Sequence, residues 1–347
     1  VAARDVIALR PAPRGADVPA TAEALLGSLG GPTMLVVEGR DPSRTRGVVT
    51  LLHGNEPSGV RAVTELLRSD AVPATRVVIL IANVEAALAP RPFTHRLLPG
   101  HRDLNRCFRE PFDGADGAVA HEALRLLREA GCEALVDLHN NTGRNPAYGV
   151  ATDVDAARLG LVALFAERCV TTDLSLGSLI EATSGDFPTV TIECGRAGDP
   201  EADAVALAGL RRFVTLPEIE TRRVPDAPMT VLCDPIRVSL RPGVRLAFGA
   251  VPMPGADLTL VPDIDRHNFQ PVLPGAPVGW LGTHGRWPLE ARGADGEDVS
   301  ADLFHVLDGR LETRRGIVPI MMTTDVAVAE ADCLFYVVQP REEIGRR

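Results

Sequence analysis

Along the first two thirds of the chain, short apolar runs rich in β-branched residues alternate with longer stretches whose apolar positions recur at helical spacing. TMLVVEG (Thr33 to Gly39), GVVTLLHG (Gly47 to Gly54), ALVDLH (Ala134 to His139) and TVTIECG (Thr189 to Gly195) read as strands. RVVILIAN (Arg76 to Asn83) is apolar almost throughout, the mark of a strand covered on both faces. Ser58 to Ser69 reads as a helix, with Val60, Val63, Leu66 and Leu67 on one side. Gly117 to Ala130, Asp155 to Arg168 and Pro200 to Phe213 follow the same spacing. Strands alternating with helices predict an α/β sheet with helices on both faces.

The pattern changes near Leu216. From Pro225 to Pro288 prolines become frequent and helical spacing disappears. Short alternating runs replace it: MTVLCD, VRLAFG, DLTLVPD, PVGWLG and, further on, IVPIMM and CLFYVV. These predict a smaller all-β domain, with the division at 222/223, so that residues 1–222 and 223–347 form two units.

Composition narrows the class. At 347 residues and 45% apolar content the chain can bury a full core. A net charge of -10 argues against DNA or another polyanion, and 4% aromatics leave little for stacking on bases. The six cysteines are scattered, with no CxxC pair, which reads as reduced buried thiols in a cytosolic protein and disfavours a four-cysteine structural zinc. The start lacks an apolar stretch of useful length, although the first residue is not Met and a removed leader stays open. The most apolar run, Val77 to Ala89, is broken by Asn83 and Glu85 and is too short to span a bilayer. Neither nucleic acid nor membrane is therefore an expected partner; a second copy of the chain stays open.

Four groups carry candidate chemistry. His53 and Glu56, in His-Gly-Asn-Glu, stand where a strand gives way to a helix, and carboxyl ends of strands are where ligand sites form in open α/β sheets. A lone His-x-x-Glu arises about once by chance in a chain of this size, and a surface His beside a helix-start Glu is its bland reading. His139 closes another apolar strand. Two strand-end histidines plus Glu56 would give three ligands and one open position, the catalytic rather than the structural zinc pattern. Glu193 follows an apolar strand, where burial would raise its pKa toward that of a general base; a solvated strand-end Glu is the alternative. Asp103-Leu104-Asn105-Arg106 lies in a locally basic stretch containing Arg91, His95, Arg96, His101, Arg102 and Arg109. Such a stretch can focus field on an anion, and Arg106 with Asn105 suits a two-point grip on a carboxylate. An Arg-rich loop neutralising an acidic surface is the competing reading.

In order and spacing, HxxE, DLNR, DLH and a strand-end Glu followed by Cys-Gly resemble the succinylglutamate desuccinylase and aspartoacylase family of the zinc carboxypeptidase clan. DLHNNTG (Asp137 to Gly143) is closer to the aspartoacylase form, and His267-Asn268-Phe269 and PGAPVG resemble that family's C-terminal β domain. The resemblance implies a mixed central sheet with helices on both faces, followed by a β domain that narrows the cleft. It implies one zinc per chain on His53, Glu56 and His139, Glu193 as catalytic glutamate, and Asn105 and Arg106 as the grip on the substrate carboxylate. The family carries a further Arg shortly before DLNR that polarises the scissile carbonyl. Arg96 is the candidate, with Leu97 to Gly100 as a short insertion, and Arg102 the alternative. The family's substrate tyrosine from the β domain is not assigned; Tyr336, the one Tyr there, lies in an apolar run. The implied activity is amide hydrolysis of a small anionic N-acyl amino acid or similar acylated amine. The rivals are a carboxypeptidase acting on short peptides and a binding protein without activity.

Overall fold

The computed structural model describes residues 6–219, 229–282 and 286–340. The division expected at 222/223 lies outside the described residues. The strands are β1 (Ala8–Pro11), β2 (Thr33–Val37), β3 (Asp41–Thr50), β4 (Thr75–Ile81), β5 (Cys132–Asn141) and β6 (Tyr148–Ala151). They continue with β7 (Arg168–Thr171), β8 (Thr189–Arg196), β9 (Thr230–Leu240), β10 (Leu246–Phe248), β11 (Leu258–Leu260) and β12 (Pro277–Leu281). The last are β13 (Leu289–Arg292), β14 (Phe304–Leu307), β15 (Arg310–Thr313), β16 (Val318–Ile320) and β17 (Phe335–Pro340). A 12-stranded sheet runs β1-β2-β4-β3-β5-β8-β6-β7-β9-β17-β16, with β13 added against β9. A separate five-stranded sheet runs β10-β11-β12-β15-β14.

The large sheet is mixed: β4, β3, β5 and β8 are mutually parallel, while β6 is antiparallel to β8. It does not stop at the end of the first two thirds, because β9 pairs in parallel with β7 and carries β17, β16 and β13. Five helices of the first part are α1 (Ala22–Leu29), α2 (Ser58–Arg68), α3 (Val84–Leu88), α4 (Gly114–Glu129) and α5 (Ala156–Ala163). Then come α6 (Leu179–Thr183), α7 (Pro200–Thr215) and the short α8 (Ser300–Leu303) and α9 (Val326–Ala331). Alternate residues of a strand feed two apolar clusters: Val48 packs with α1, α2, α5 and α7, and its neighbour Val49 packs with α4 and α6. The sheet is thus covered on both faces, as its near-continuous apolar strands require.

The helix expected over Asp155 to Arg168 ends at Ala163, and Arg168–Thr171 forms β7 instead. Asp155 caps the helix by accepting the N–H of Arg158. The β-branched pair Val170 and Thr171 then suits a strand between β6 and β9. Arg46 is fully buried inside the sheet; its guanidinium donates to Glu133 at 2.7 Å and to the carbonyls of Phe213 and Leu216 at 2.6 and 2.8 Å. It ties the C-terminal end of α7 to β3 and leaves no unpaired charge behind. Cys107, Cys132, Cys169, Cys194 and Cys333 are buried thiols, and Cys233 is partly exposed. Among the described residues no helix is long and apolar enough to cross a membrane.

Candidate active site

The site grows from the carboxyl ends of β3, β5 and β8. β3 stops at Thr50 because Leu51 takes a left-handed conformation with φ 57°, and the chain turns there to carry His53 and Glu56 ahead of α2. Gly54 in that turn is obligatory: a Cβ would fall 2.6 Å from the carbonyl oxygen of His95 and 2.7 Å from Ala86. Its N–H donates instead to the carbonyl of Arg96 at 2.9 Å, which fixes the segment bearing Arg96 beside His53. On the sheet itself, His139 is registered with Glu193, and Glu193 with Tyr148. Cross-strand partners point to the same face, so these three side chains stand in one row.

The two histidines meet on one carboxylate. Glu56 Oε1 lies 2.7 Å from His53 Nδ1, and Oε2 lies 2.7 Å from His139 Nδ1. Each ring is held from behind by a second carboxylate: Asp103 at 3.0 Å from His53 Nε2, and Asp137 at 2.8 Å from His139 Nε2. Asp137 and His139 are two apart on β5 and therefore share a face. Ligand atoms of His53, Glu56 and His139 lie within 4.8 Å of one another, the one such group of three among the described residues, and all three residues are buried. With carboxylates on both nitrogens, either both rings carry two protons or a dication takes the place of the two Nδ1 protons. Burial opposes charge on each ring, yet the surrounding carboxylates raise both histidine pKa values; the two histidines in turn hold the Glu56 carboxyl far below the usual range, and His53 with Arg96 and Arg106 does the same for Asp103. Two imidazole nitrogens and a carboxylate, each ring braced by an outer carboxylate, fit a zinc ion.

Glu193 is buried, and its Oε2 accepts from Asn141 Nδ2 at 2.6 Å. Burial, then the Glu56 charge, raises its pKa; His139 and the Asn141 donor work the other way and do not cancel the rise. Arg96 donates to Asp103 at 2.8 Å, with Glu56 at 3.7 Å and Asp332 at 3.6 Å. Arg106 donates to the carbonyl of Asn105 at 2.9 Å and reaches Asp332 at 3.4 Å. Arg237 donates to Asp332 at 2.9 Å. Burial raises the Asp332 pKa, but Arg106, Arg96 and Arg237 outweigh it and the carboxyl stays ionised. Leaving Glu56 aside, three guanidiniums face two carboxylates, Asp103 and Asp332, and one positive charge remains over.

Residues 48–206 match the family model for the succinylglutamate desuccinylase/aspartoacylase catalytic domain. Over those residues, a little under half of its length, the chain carries that family's catalytic domain. It is a family of metal-dependent hydrolases acting on amide bonds, and the His-Glu-His residues of a metal site are present here. Among solved structures, the fold is similar to the succinylglutamate desuccinylase/aspartoacylase from Rhodobacter sphaeroides, at TM-score 0.58 and 18% identity over 88% of each chain. It is similar to the ectoine utilization protein EutE (DoeB) from Ruegeria pomeroyi, at TM-score 0.57 and 19% identity over 88% of each chain. It is also similar to murine aminoacylase 3, at TM-score 0.53 and 19% identity over 88% of this chain and 99% of that one. At these identities the likeness is one of fold. No curated protein matches the chain by sequence.

The site gathers most of what the sequence pointed to. His53, Glu56, His139, Glu193, Arg96, Asn105 and Arg106 all line one cavity of about 160 Å³. Arg102 does not: it is exposed and engaged with Asp116 and the carbonyl of Asp113. Of the basic stretch only Arg96 and Arg106 line the cavity, so the stretch is not one concentrated field. Asn268 and Phe269 sit behind the site, where Asn268 bonds both backbone groups of Met322 and Phe269 packs 4.8 Å from the Tyr148 ring. Gly143 approaches the carbonyl of Met322 so closely that a Cβ could not fit, which joins the loop after β5 to the C-terminal segment. Sequence reading missed Tyr148, Arg237 and Asp332 and gave Asp103 and Asp137 no role. The last two had a signal, since each lies inside a motif already singled out. Tyr336, left unassigned, is buried and lines the cavity.

Proposed function

We propose that this protein is a zinc-dependent deacylase that cleaves the amide bond of an N-acyl amino acid or similar small acylated amine. His53, Glu56 and His139 would hold one zinc per chain. Bound there, the ion would polarise the amide carbonyl and lower the pKa of the attacking water. Glu193, buried beside the ligands with its pKa raised, takes the proton from that water and delivers it to the leaving nitrogen. Arg96, anchored by Asp103, directs its remaining donors at the oxygen of the scissile carbonyl as negative charge builds there. Asn105 and Arg106 orient a substrate carboxylate; Asn105 is itself fixed by accepting the N–H of Leu179 at 3.0 Å. The surplus positive charge of the arginine cluster supports a substrate carrying one carboxylate at that end.

The observation that carries this reading is the convergence of His53, Glu56 and His139 with Glu193 in one cavity. In domain terms, we infer a catalytic unit over 1–222 and a β-rich unit over 223–347 that narrows the cleft. Pro235, Ile320, Val328 and Asp332 from the second stretch line the cavity, which favours small substrates over the peptides a carboxypeptidase takes. A screen of zinc-loaded protein against N-acyl amino acids beside short peptides tests the reading. Hydrolysis of the former at least tenfold faster supports it, and a preference for peptides moves the protein to the carboxypeptidase reading.

A further inference from the structure

The cavity has a second half that the catalytic residues do not explain. The row His139, Glu193, Tyr148 is flanked on the sheet by a second row, Asp137, Thr191, Val150, Val170. Both rows point to the same face, because the positions within each strand are two apart. Moving from β5 to β7, that face therefore changes from ionisable to apolar. Val150 and Val170 line the cavity and share an apolar cluster with Leu174 and Ile320, which line it too. At the junction stands the hydroxyl of Tyr148, fully buried beside Glu193 and with no hydrogen-bond partner among the described residues. A buried unpaired hydroxyl is costly, and a polar substrate atom arriving there would relieve it.

Charge divides along the same line. Arg96 and Arg106 are the permanent cations lining the cavity, and both lie at the Asp103 and Asp332 end. The chain contains no lysine that could reach in from elsewhere. Arg109, the nearest basic residue of the loop, is exposed and packs its stem against Gly177. Glu181 also lines the cavity, on the segment that packs beside Asn105 and Arg106, and its oxygens are taken up by the N–H groups of Leu176, Gly177 and Ser178 and by the Ser178 hydroxyl. A second substrate carboxylate placed in the arm beside Val150 and Val170 would meet apolar side chains and no cation.

We infer that the substrate carries a single carboxylate, held at the arginine end, and an uncharged apolar group that fills the Val150–Val170 arm. This rests on the deacylase reading and names its substrate class. Dicarboxylic acyl groups such as succinyl are excluded from the arm. The apolar group can belong to the acyl chain or to the amino-acid side chain, and the test separates the two.

The experiment measures kcat/KM of the zinc-loaded protein on two series. One is acetyl-, butanoyl-, hexanoyl- and succinyl-alanine; the other is N-acetyl-alanine, N-acetyl-leucine and N-acetyl-aspartate. One series should rise by roughly fourfold for each buried methylene until the arm is full, and its charged member should fall at least tenfold below the uncharged member of similar length. The series that rises identifies the group in the arm. Leu174→Arg, at a half-buried position on the arm, should shift the preference toward the charged member by tenfold or more. Leu174→Ala should weaken the longest apolar member alone. The same compounds are titrated calorimetrically into Glu193→Gln protein, so that the arm is tested even if no amide is cleaved. Absence of hydrolysis with apolar-selective binding would overturn the deacylase reading and leave the arm standing. Equal or better turnover and binding of the charged members in both series would overturn the inference and leave the deacylase reading intact.

Discussion

Asp137→Asn separates an outer carboxylate that serves the metal site from one that serves the fold. Asp137 is completely buried, its Oδ2 lies 2.8 Å from His139 Nε2, and its Oδ1 has no partner among the described residues. Burying an ionised carboxylate with so little compensation costs several kcal/mol. Asparagine has the same shape and can still accept from Nε2–H, so the substitution removes the charge and little else. The anion keeps the Nδ1 lone pair directed at the ligand position and makes the ring a stronger donor. Losing such a partner typically weakens metal binding by ~10–100-fold, equivalent to about 1.4–2.8 kcal/mol. Asp103→Asn should lose more, because Asp103 also anchors Arg96 at 2.8 Å. Competition for zinc against a chromophoric chelator gives the dissociation constants, and urea denaturation of the metal-free proteins reports the fold. The metal-free Asp137→Asn protein should still unfold in one cooperative transition, with a modest loss from the weakened contact to the His139 ring. A zinc affinity within twofold of wild type, or loss of the cooperative transition, would refute the reasoning.

Three further outcomes follow from the geometry. Glu193→Gln should keep one zinc and a native melting profile while kcat falls by ~10²–10⁴-fold, since the amide cannot accept a proton; a kcat near wild type would make Glu193 a packing residue. Arg106→Ala should lower kcat/KM by ~10²-fold or more on an N-acyl amino acid, about 2.7 kcal/mol, yet barely change the slow rate on the corresponding amino acid amide. Lys at that position should restore only part of the loss, and equal losses on acid and amide would show that Arg106 does not read the carboxylate. Arg46→Ala should cost roughly 2–4 kcal/mol in urea denaturation, because it strands the carbonyls of Phe213 and Leu216 and removes one of the two arginines on the half-buried Glu133; a loss under 1 kcal/mol would mean water replaces the guanidinium at no cost.

What could be read from the sequence was local. β4, β5 and β8 announce themselves because a strand buried on both faces must be largely apolar, and α2 because its large apolar residues Val60, Val63, Leu66 and Leu67 fall at helical spacing. His53, His139 and Glu193 could be placed because each ends such a strand. β6 and β7, with four residues each, are too short to show a period, so Tyr148 and the apolar arm beside it were invisible. Asp332 could not be found at all: it meets Arg237 across 95 residues and Arg106 across 226, and long-range ion pairs leave no local pattern. The choice between Arg96 and Arg102 turned on a four-residue insertion that spacing alone could not place; the backbone bond from Gly54 to Arg96 shows which arginine is brought beside His53.

The most direct measurement is a zinc titration of metal-stripped protein, reading hydrolysis of an N-acyl amino acid at each step. The account predicts no turnover without metal, a linear rise to one equivalent of zinc per chain and a plateau beyond it, with the His53→Ala, His139→Ala double variant inactive throughout. Turnover by the stripped protein, or a double variant that titrates like wild type, would contradict the claim that these residues hold the catalytic metal.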